Sequence, residues 1–272
     1  MKIDFVTDKG IGKMNEDAYI IANNFFTVID GNTNLQGFQD KKGQTGGYLA
    51  AQIVKNIFNE NKEKDFDAIT DLVNQSLNRL MAKEKINVNK KGDRIGATAA
   101  VIRIKNNTAE YLQIGDCSIV FVAKNGEFKI ITNENNWDRP TLILWKKISK
   151  NLAIEHFSKN KEILSLMIKI RDLANVSYSV LNGEEDVKRL VVKGGISLRG
   201  IKHIFLFTDG FSLPKENPEE GENIEKLVKM SLADGIEVVT NHIRTIEKSD
   251  PYGMKYPRIK SHDDLTVVKI EL

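Results

Sequence analysis

Phe25-Phe26-Thr27-Val28-Ile29 is apolar and β-prone from end to end, and it stops abruptly at Asp30-Gly31. A run this short and uniform reads as a buried strand. The carboxylate at its end then sits at the rim of a sheet, within reach of solvent or a metal ion. The same grammar returns downstream, where His203-Ile204-Phe205-Leu206-Phe207-Thr208 delivers Asp209-Gly210. The remaining chain is scaffolding that brings these two Asp-Gly turns together with further carboxylates.

Pattern along the chain supports this. Lys2 to Thr7 alternates like a strand, and Asp8 to Asn15 is a glycine-containing loop. Glu16-Asp17 precedes a second strand, Ala18 to Ala22, and Asn23-Asn24 turns it into the Phe25–Ile29 strand as a hairpin with φ > 0 residues. Pairing of that hairpin puts Glu16-Asp17 and Asp30-Gly31 at one end. Apolar residues at helical spacing mark helices over Tyr48 to Asn59 and Phe66 to Lys85, with Asp65 or Asp67 as cap. A β-meander follows: Ile95 to Ile104, Thr108 to Ile114, Ser118 to Ala123 and Phe128 to Thr132. Its turns are Asn106-Asn107, Gly115-Asp116 and Asn125-Gly126, and Asn133-Glu134-Asn135-Asn136 is a polar loop that ends it. Arg139 to Asn175 has helical periodicity (Leu142, Trp145, Ile148, Leu152, then Ile163, Leu166, Met167, Ile170, Leu173). Strand pieces return at Tyr178–Leu181, Arg189–Val192 and His203–Thr208, then helices at Asn223 to Ala233 and Ile236 to Glu247. A Pro/Gly loop, Lys248 to Ser261, leads to His262-Asp263-Asp264 and a last strand, Leu265 to Leu272. Helices segregated from strands predict antiparallel sheets with helices packed outside. A final strand that re-enters the core predicts one domain over 1–272.

Composition narrows the class. Cys117 is the only cysteine, so no intrachain disulfide can form and a reducing compartment fits best. Met1 to Gly10 has no signal-like apolar core, and no run is long enough to span a bilayer. A cytoplasmic protein with no membrane contact is expected. The net charge of +3 is too mild to argue for nucleic acid. Between Arg139 and Lys202, however, 13 Lys or Arg stand against 6 Asp or Glu. This stretch is either a solvated helical surface or a basic wall for an acidic or phosphorylated partner.

The acidic residues at strand termini are Glu16, Asp17, Asp30, Asp116, Asp209, Asp263 and Asp264. Gathered carboxylates raise one another's pKa unless a cation compensates. Oxygen-only ligation, without Cys or His, suits Mg²⁺ or Mn²⁺ over Zn²⁺. Two such ions sharing one carboxylate would polarise a bridging water and clamp a phosphoryl group. Glycine after Asp30 lets a backbone carbonyl approach an ion closely.

In order and spacing these motifs resemble the metal-dependent serine/threonine protein phosphatases of type 2C, in a bacterial-like branch. The resemblance rests on Gly10 to Asp17, Phe25 to Gly31, Gly96-Ala97-Thr98-Ala99, Ile114-Gly115-Asp116-Cys117-Ser118, Phe205 to Gly210 and Asp263-Asp264-Leu265-Thr266-Val267-Val268. It runs end to end and is thinnest over a helical segment of about 137–176. It implies a four-layer α-β-β-α sandwich of two antiparallel sheets flanked by helices. It also implies hydrolysis of phosphoserine and phosphothreonine in proteins by a metal-bridged water, on two Mg²⁺ or Mn²⁺ ions. Asp30 would bridge the ions, Gly31 would lend its carbonyl, and Glu16 would serve the second ion. Asp209 and Asp263 would serve the first, Asp17 would orient water, and Asp116 would serve a weaker third site. A cognate serine/threonine kinase would be the opposing partner.

The departures lie around phosphate. The family's phosphate-binding arginine falls at Gly12, leaving Lys13 as an imperfect substitute without the bidentate fork. The histidine after Asp-Gly is Asn32, the Gly-Gly pair is Thr33-Asn34, and the second aspartate after Asp209 is Leu213. The alternative is a catalytically weak regulatory module that holds a phosphorylated partner, and a small-molecule phosphatase is a third reading. Among the remaining residues, Cys117 reads as a small buried side chain. His262 reads as capping or exposed, or else as an aid to proton transfer. His156, His203 and His242 read as structural, and Trp137 and Trp145 as packing or a lid.

Overall fold

The computed structural model describes residues 1–33, 35–132, 137–149 and 160–272. Asn34, the predicted loop at 133–136, and Leu152 and His156 of the predicted helical segment lie outside the described residues. The strands are β1 (Lys2–Asp8), β2 (Asp17–Ala22), β3 (Phe25–Gly31), β4 (Ala97–Lys105), β5 (Thr108–Ile114), β6 (Ser118–Ala123), β7 (Phe128–Ile131), β8 (Val192–Ser197), β9 (Ile201–Phe207) and β10 (Leu265–Glu271). The helices are α1 (Gly46–Glu60), α2 (Phe66–Lys83), α3 (Arg139–Ser149), α4 (Lys161–Arg171), α5 (Ile224–Ala233) and α6 (Ile236–Ser249).

The strands form two five-stranded sheets, β1-β10-β9-β6-β7 and β2-β3-β4-β5-β8, and every neighbouring pair is antiparallel. The runs are apolar because both faces of each central strand are covered. In β3, Phe26 and Val28 join β6, β9 and β10 residues Ile119, Phe121, Ile204, Leu206 and Val268 between the sheets. The alternate residues Phe25 and Ile29 pack outward on Val54 and Phe58 of α1 and Val73 and Leu77 of α2. On the opposite side, Phe205 and Val267 pack on Leu227 and Val228 of α5 and Val239 and Ile243 of α6. The order of layers is therefore α-β-β-α. Burial of two faces per strand removes the polar alternation that a half-exposed strand would show.

Local chemistry sets most boundaries. Thr45 caps α1 by accepting from Tyr48 N, and Asp65, the first of the two expected candidates, caps α2 by accepting from Asp67 N. The β2–β3 hairpin closes on Asn23-Asn24 with Ala22 opposite Phe25. The positive φ values expected there occur instead at Asn106 (46°) and Asn107 (63°), which turn β4 into β5.

Two expectations change in the middle of the chain. Tyr178–Leu181 is not a strand of either sheet: Tyr178 and Leu181 make only isolated bridges, to Ala174 and Ala97. Asn175, at φ 55°, holds the segment by donating to Val180 O (3.0 Å) and accepting from Val180 N (2.9 Å). The strand expected at Arg189–Val192 is displaced: a 3-10 turn occupies Glu185–Arg189 and β8 begins only at Val192. The helical segment contains α3 and α4, which pack on each other through Trp145, Ile163 and Met167. Lys188 and Lys193 of the basic stretch pair with Asp71 and Asp67 of α2. Part of that charge therefore holds β8 and its leading turn to α2. Among the described residues no helix is long and apolar enough to cross a membrane.

Phe121 is fully buried between the sheets. Phe121→Ala should lower unfolding free energy by about 3–5 kcal/mol, measured by urea titration of metal-free protein. A loss below about 1 kcal/mol would show that the two sheets do not form a tightly packed interior.

Candidate metal centre

Antiparallel pairing gathers the strand-end carboxylates. Asp17 opens β2 directly opposite Asp30 near the end of β3, and Asp30 in turn faces Thr98 of β4. In the other sheet, Phe207 at the end of β9 pairs with Val267 of β10 and Ser118 of β6. Asp209 after β9, Asp263 before β10 and Asp116 in the β5–β6 turn therefore share that end of the sandwich. Cross-sheet bonds tie the halves together. Thr208 Oγ1 donates to Asp17 Oδ2 (2.9 Å), and Thr98 Oγ1 donates to Asp116 Oδ1 (2.9 Å).

Both Asp-Gly steps are close backbone approaches and not left-handed turns; neither Gly31 nor Gly210 has a positive φ. A Cβ on Gly31 would lie 2.1 Å from the Gly47 carbonyl at the start of α1, and one on Gly210 would lie 2.0 Å from the Asp264 carbonyl. Gly31 N also donates to Glu16 O (3.0 Å). The Glu16 carboxylate sits between this glycine pair and Thr33, whose Oγ1 donates to Oε2 (2.8 Å). Asp264, which the sequence grouped with the other acids, acts as a stitch. Its two oxygens accept from Gly10 N and Glu16 N at 2.7 Å each, joining the N-terminal loop to the last strand.

Electrostatics shows how tightly the acids interact. Burial, then the charges of Asp17, Asp116 and Asp263, push Asp30 well above the usual carboxylate range. Burial, then Asp30, Asp263 and Asp116, do the same to Asp209. Burial also raises Asp17, against the nearby hydroxyls of Thr266 and Thr208, with Asp263 and Asp209 adding to it. Burial raises the Cys117 thiol too, so this buried residue is no nucleophile.

The donor set fits a hard divalent cation. It consists of oxygens, the carboxylates repel without a counter-charge, and the buried Asp17 Oδ1 has no hydrogen-bond partner. Among the described residues no three His, Cys, Asp or Glu side chains stand close enough together to hold a metal ion as they are placed.

Several site residues escaped sequence reasoning. Lys260 Nζ pairs with Asp263 Oδ1 at 2.5 Å. Burial disfavours its ammonium, but Asp263, Asp30 and Glu16 outweigh that and raise its pKa. Arg244 of α6 donates to Asp8 Oδ2 (2.8 Å), Glu247 Oε2 (2.9 Å) and Asp263 O (2.7 Å). His262 Nδ1 lies 2.9 Å from the same Glu247 oxygen, so His262 anchors its loop to α6 instead of being a cap or free in solvent. Asp138, just before α3, is pushed up to about 6 by burial and by Asp116 and Asp263, against Arg171. Its one sequence signal is a helix start, an aspartate ahead of Arg139-Pro140. Lys13 is exposed on its loop and lies outside this buried group. Leu213 packs against the core under α5 and α6. Trp145 is buried and donates to Gly253 O (2.9 Å), while Trp137 stacks on Tyr178 with centroids 5.4 Å apart.

Comparison with known proteins matches residues 11–250 to the family model of protein phosphatase 2C. No curated protein matches the sequence. Solved structures share the fold. The Mycobacterium tuberculosis serine/threonine phosphatase PstP/Ppp superposes with TM-score 0.59 at 17% identity, over 100% of this chain and 98% of that one. The catalytic domain of PstP in complex with two manganese ions gives 0.59 at 16%, over 99% and 97%. The phosphatase Stp1 from Staphylococcus aureus gives 0.57 at 15%, over 100% and 94%.

Asp138 supplies a pH test. Its folded pKa of about 6 lies above the unfolded value of about 4. The folded state therefore holds the extra proton in that window, and stability falls as pH rises from about 4 to about 6. In Asp138→Asn this loss disappears. The gain in melting temperature of the variant over wild type should grow across that window and level off above it. A difference independent of pH would refute the buried placement of this carboxyl.

Proposed function

The chain belongs to the protein phosphatase 2C family, and on that premise we propose that it hydrolyses phosphoserine and phosphothreonine in proteins with two Mg²⁺ or Mn²⁺ ions at the end of the sandwich described above. The gathering of Asp17, Asp30, Asp209 and Asp263 at one end of both sheets, with an unpartnered Asp17 oxygen among them, carries this reading.

In this reading Asp30, the Gly31 carbonyl, Glu16, Asp209 and Asp263 would be the groups that hold the ions. The ions supply Lewis acidity that activates water and offsets phosphoryl charge. Asp17 would orient the attacking water through Oδ1, while Thr208 fixes its other oxygen. Asp116, exposed and held by Thr98, serves the weaker third site. Lys13, exposed on the N-terminal loop, would attract the substrate phosphate as a point charge. Water would add in line to phosphorus as the bond to the serine or threonine oxygen breaks; the water gives up a proton to solvent and the leaving oxygen takes one up from solvent. Asn32 cannot donate that proton as a histidinium would. Residues 1–272 act as one domain, with the 137–176 segment as its divergent part. The protein works in the cytoplasm, consistent with its single buried thiol, opposite a serine/threonine kinase.

A second reading has one specific observation in its favour. Lys260 already holds Asp263, as it would in a phosphatase-like module that binds phosphorylated partners and turns them over poorly. Calorimetry with Mn²⁺ and a turnover assay on the same sample separate the two. Metal binding with no turnover on any phosphopeptide favours the module.

Asp30→Ala should lower Mn²⁺-dependent hydrolysis of p-nitrophenyl phosphate and of a phosphothreonine peptide by on the order of 10²–10³, and chelator should abolish it in wild type. Unchanged turnover in the variant at saturating Mn²⁺ would overturn the proposal.

A further inference from the structure

The gathered carboxylates are not left without a cation. Lys260 reaches into them from the 250–262 loop, and its ammonium lies 2.5 Å from Asp263 Oδ1. Its charge also acts on Asp30 and Asp209. The loop is held so that the lysine stays there. Arg258 donates to Ser261 O (3.0 Å), Tyr256 O (2.8 Å) and Glu247 O (2.9 Å). Arg244 and the Glu247–His262 contact fix the Asp263 backbone on the far side. Arginine bonds thus flank the lysine along the chain, and a flexible side chain is delivered to a single carboxylate.

We propose that Lys260 is a tethered counter-ion that competes with the divalent ion for Asp263, and so sets the metal affinity of the centre. The inference rests on the metal-centre reading above. In the metal-free protein the ammonium offsets part of the repulsion among Asp263, Asp30 and Asp209. When an ion arrives, two cations cannot share one carboxylate oxygen at close range without strong repulsion, so Lys260 must leave Asp263. Its four-carbon stem, with its strongly hydrated head, lets it withdraw to solvent without moving the backbone. Metal binding is therefore weaker than the carboxylates alone would give, and the metal-free fold is more stable than it would be without the lysine.

Titration calorimetry of wild type, Lys260→Met and Lys260→Gln with Mn²⁺, without substrate, tests this. Both variants should bind Mn²⁺ roughly 10-fold tighter or more, and their metal-free forms should melt at lower temperature than wild type. Lys255→Met removes an equal charge from an exposed pair with Glu216 and should bind Mn²⁺ like wild type. Equal Mn²⁺ affinity in wild type and the Lys260 variants overturns the inference while leaving the metal centre intact. No Mn²⁺ binding by wild type overturns both. Should both variants fail to fold, the Lys260 ammonium signal of wild type can be followed by NMR as diamagnetic Mg²⁺ is added. A shift to solvent-like values supports the inference, and an unmoved signal at saturating Mg²⁺ overturns it.

Discussion

Repulsion among carboxylates is the constraint on which the rest of this structure depends. Asp17, Asp30, Asp209 and Asp263 converge at one end of two sheets, and burial together with their mutual charge pushes the first three well above ordinary carboxylate pKa values. Nothing about strand pairing favours that. It persists because the interior beneath is large and well packed, with Phe26, Phe121, Leu206 and Val268 meeting between the sheets. Apolar burial outside the site offsets an arrangement that is locally unfavourable.

The neighbouring residues counter the repulsion in different ways. Thr208 and Thr98 donate hydroxyls to single carboxylate oxygens. Asp264 leaves the group by satisfying two backbone amides and so joins the chain's first loop to its last strand. Lys260 brings a positive charge. Arg244 does not neutralise the acids; it holds the Asp263 backbone and draws Asp8 and Glu247 around itself. The α6 helix thereby acts twice, with its apolar face covering one sheet and a buried arginine on the same helix positioning a site loop.

The packing of helices outside antiparallel sheets was legible because two-sided burial leaves a plain mark, a short apolar run, and because a cap such as Asp65 is local. The acids were legible for a related reason: each stands at the end of such a run, where the run's break shows. Less legible was what holds them. Lys260 lies in a Pro/Gly loop with no periodicity, and Arg244 looks like a polar position on an amphipathic helix. Asp138 shows only a helix start. Each acquires its role through partners far away in sequence, as Arg244 does with Asp8. Tyr178–Leu181 was misread for the opposite reason. Its residues are β-prone, but Asn175 and two isolated bridges hold it beside β4 without a ladder.

Outside the 178–192 stretch, the sequence by itself determined the order of strands and helices, the positions where strands end in acid, and the oxygen-only chemistry available there. Side-chain period and residue type are local properties, and they survive without any knowledge of neighbours. Tertiary structure decided which acids face one another and which one becomes a stitch. It also decided the meaning of the two Asp-Gly steps. The glycines serve close backbone contact, Gly31 against Gly47 and Gly210 against Asp264. That requirement comes from a second segment of chain, and no local pattern can announce it.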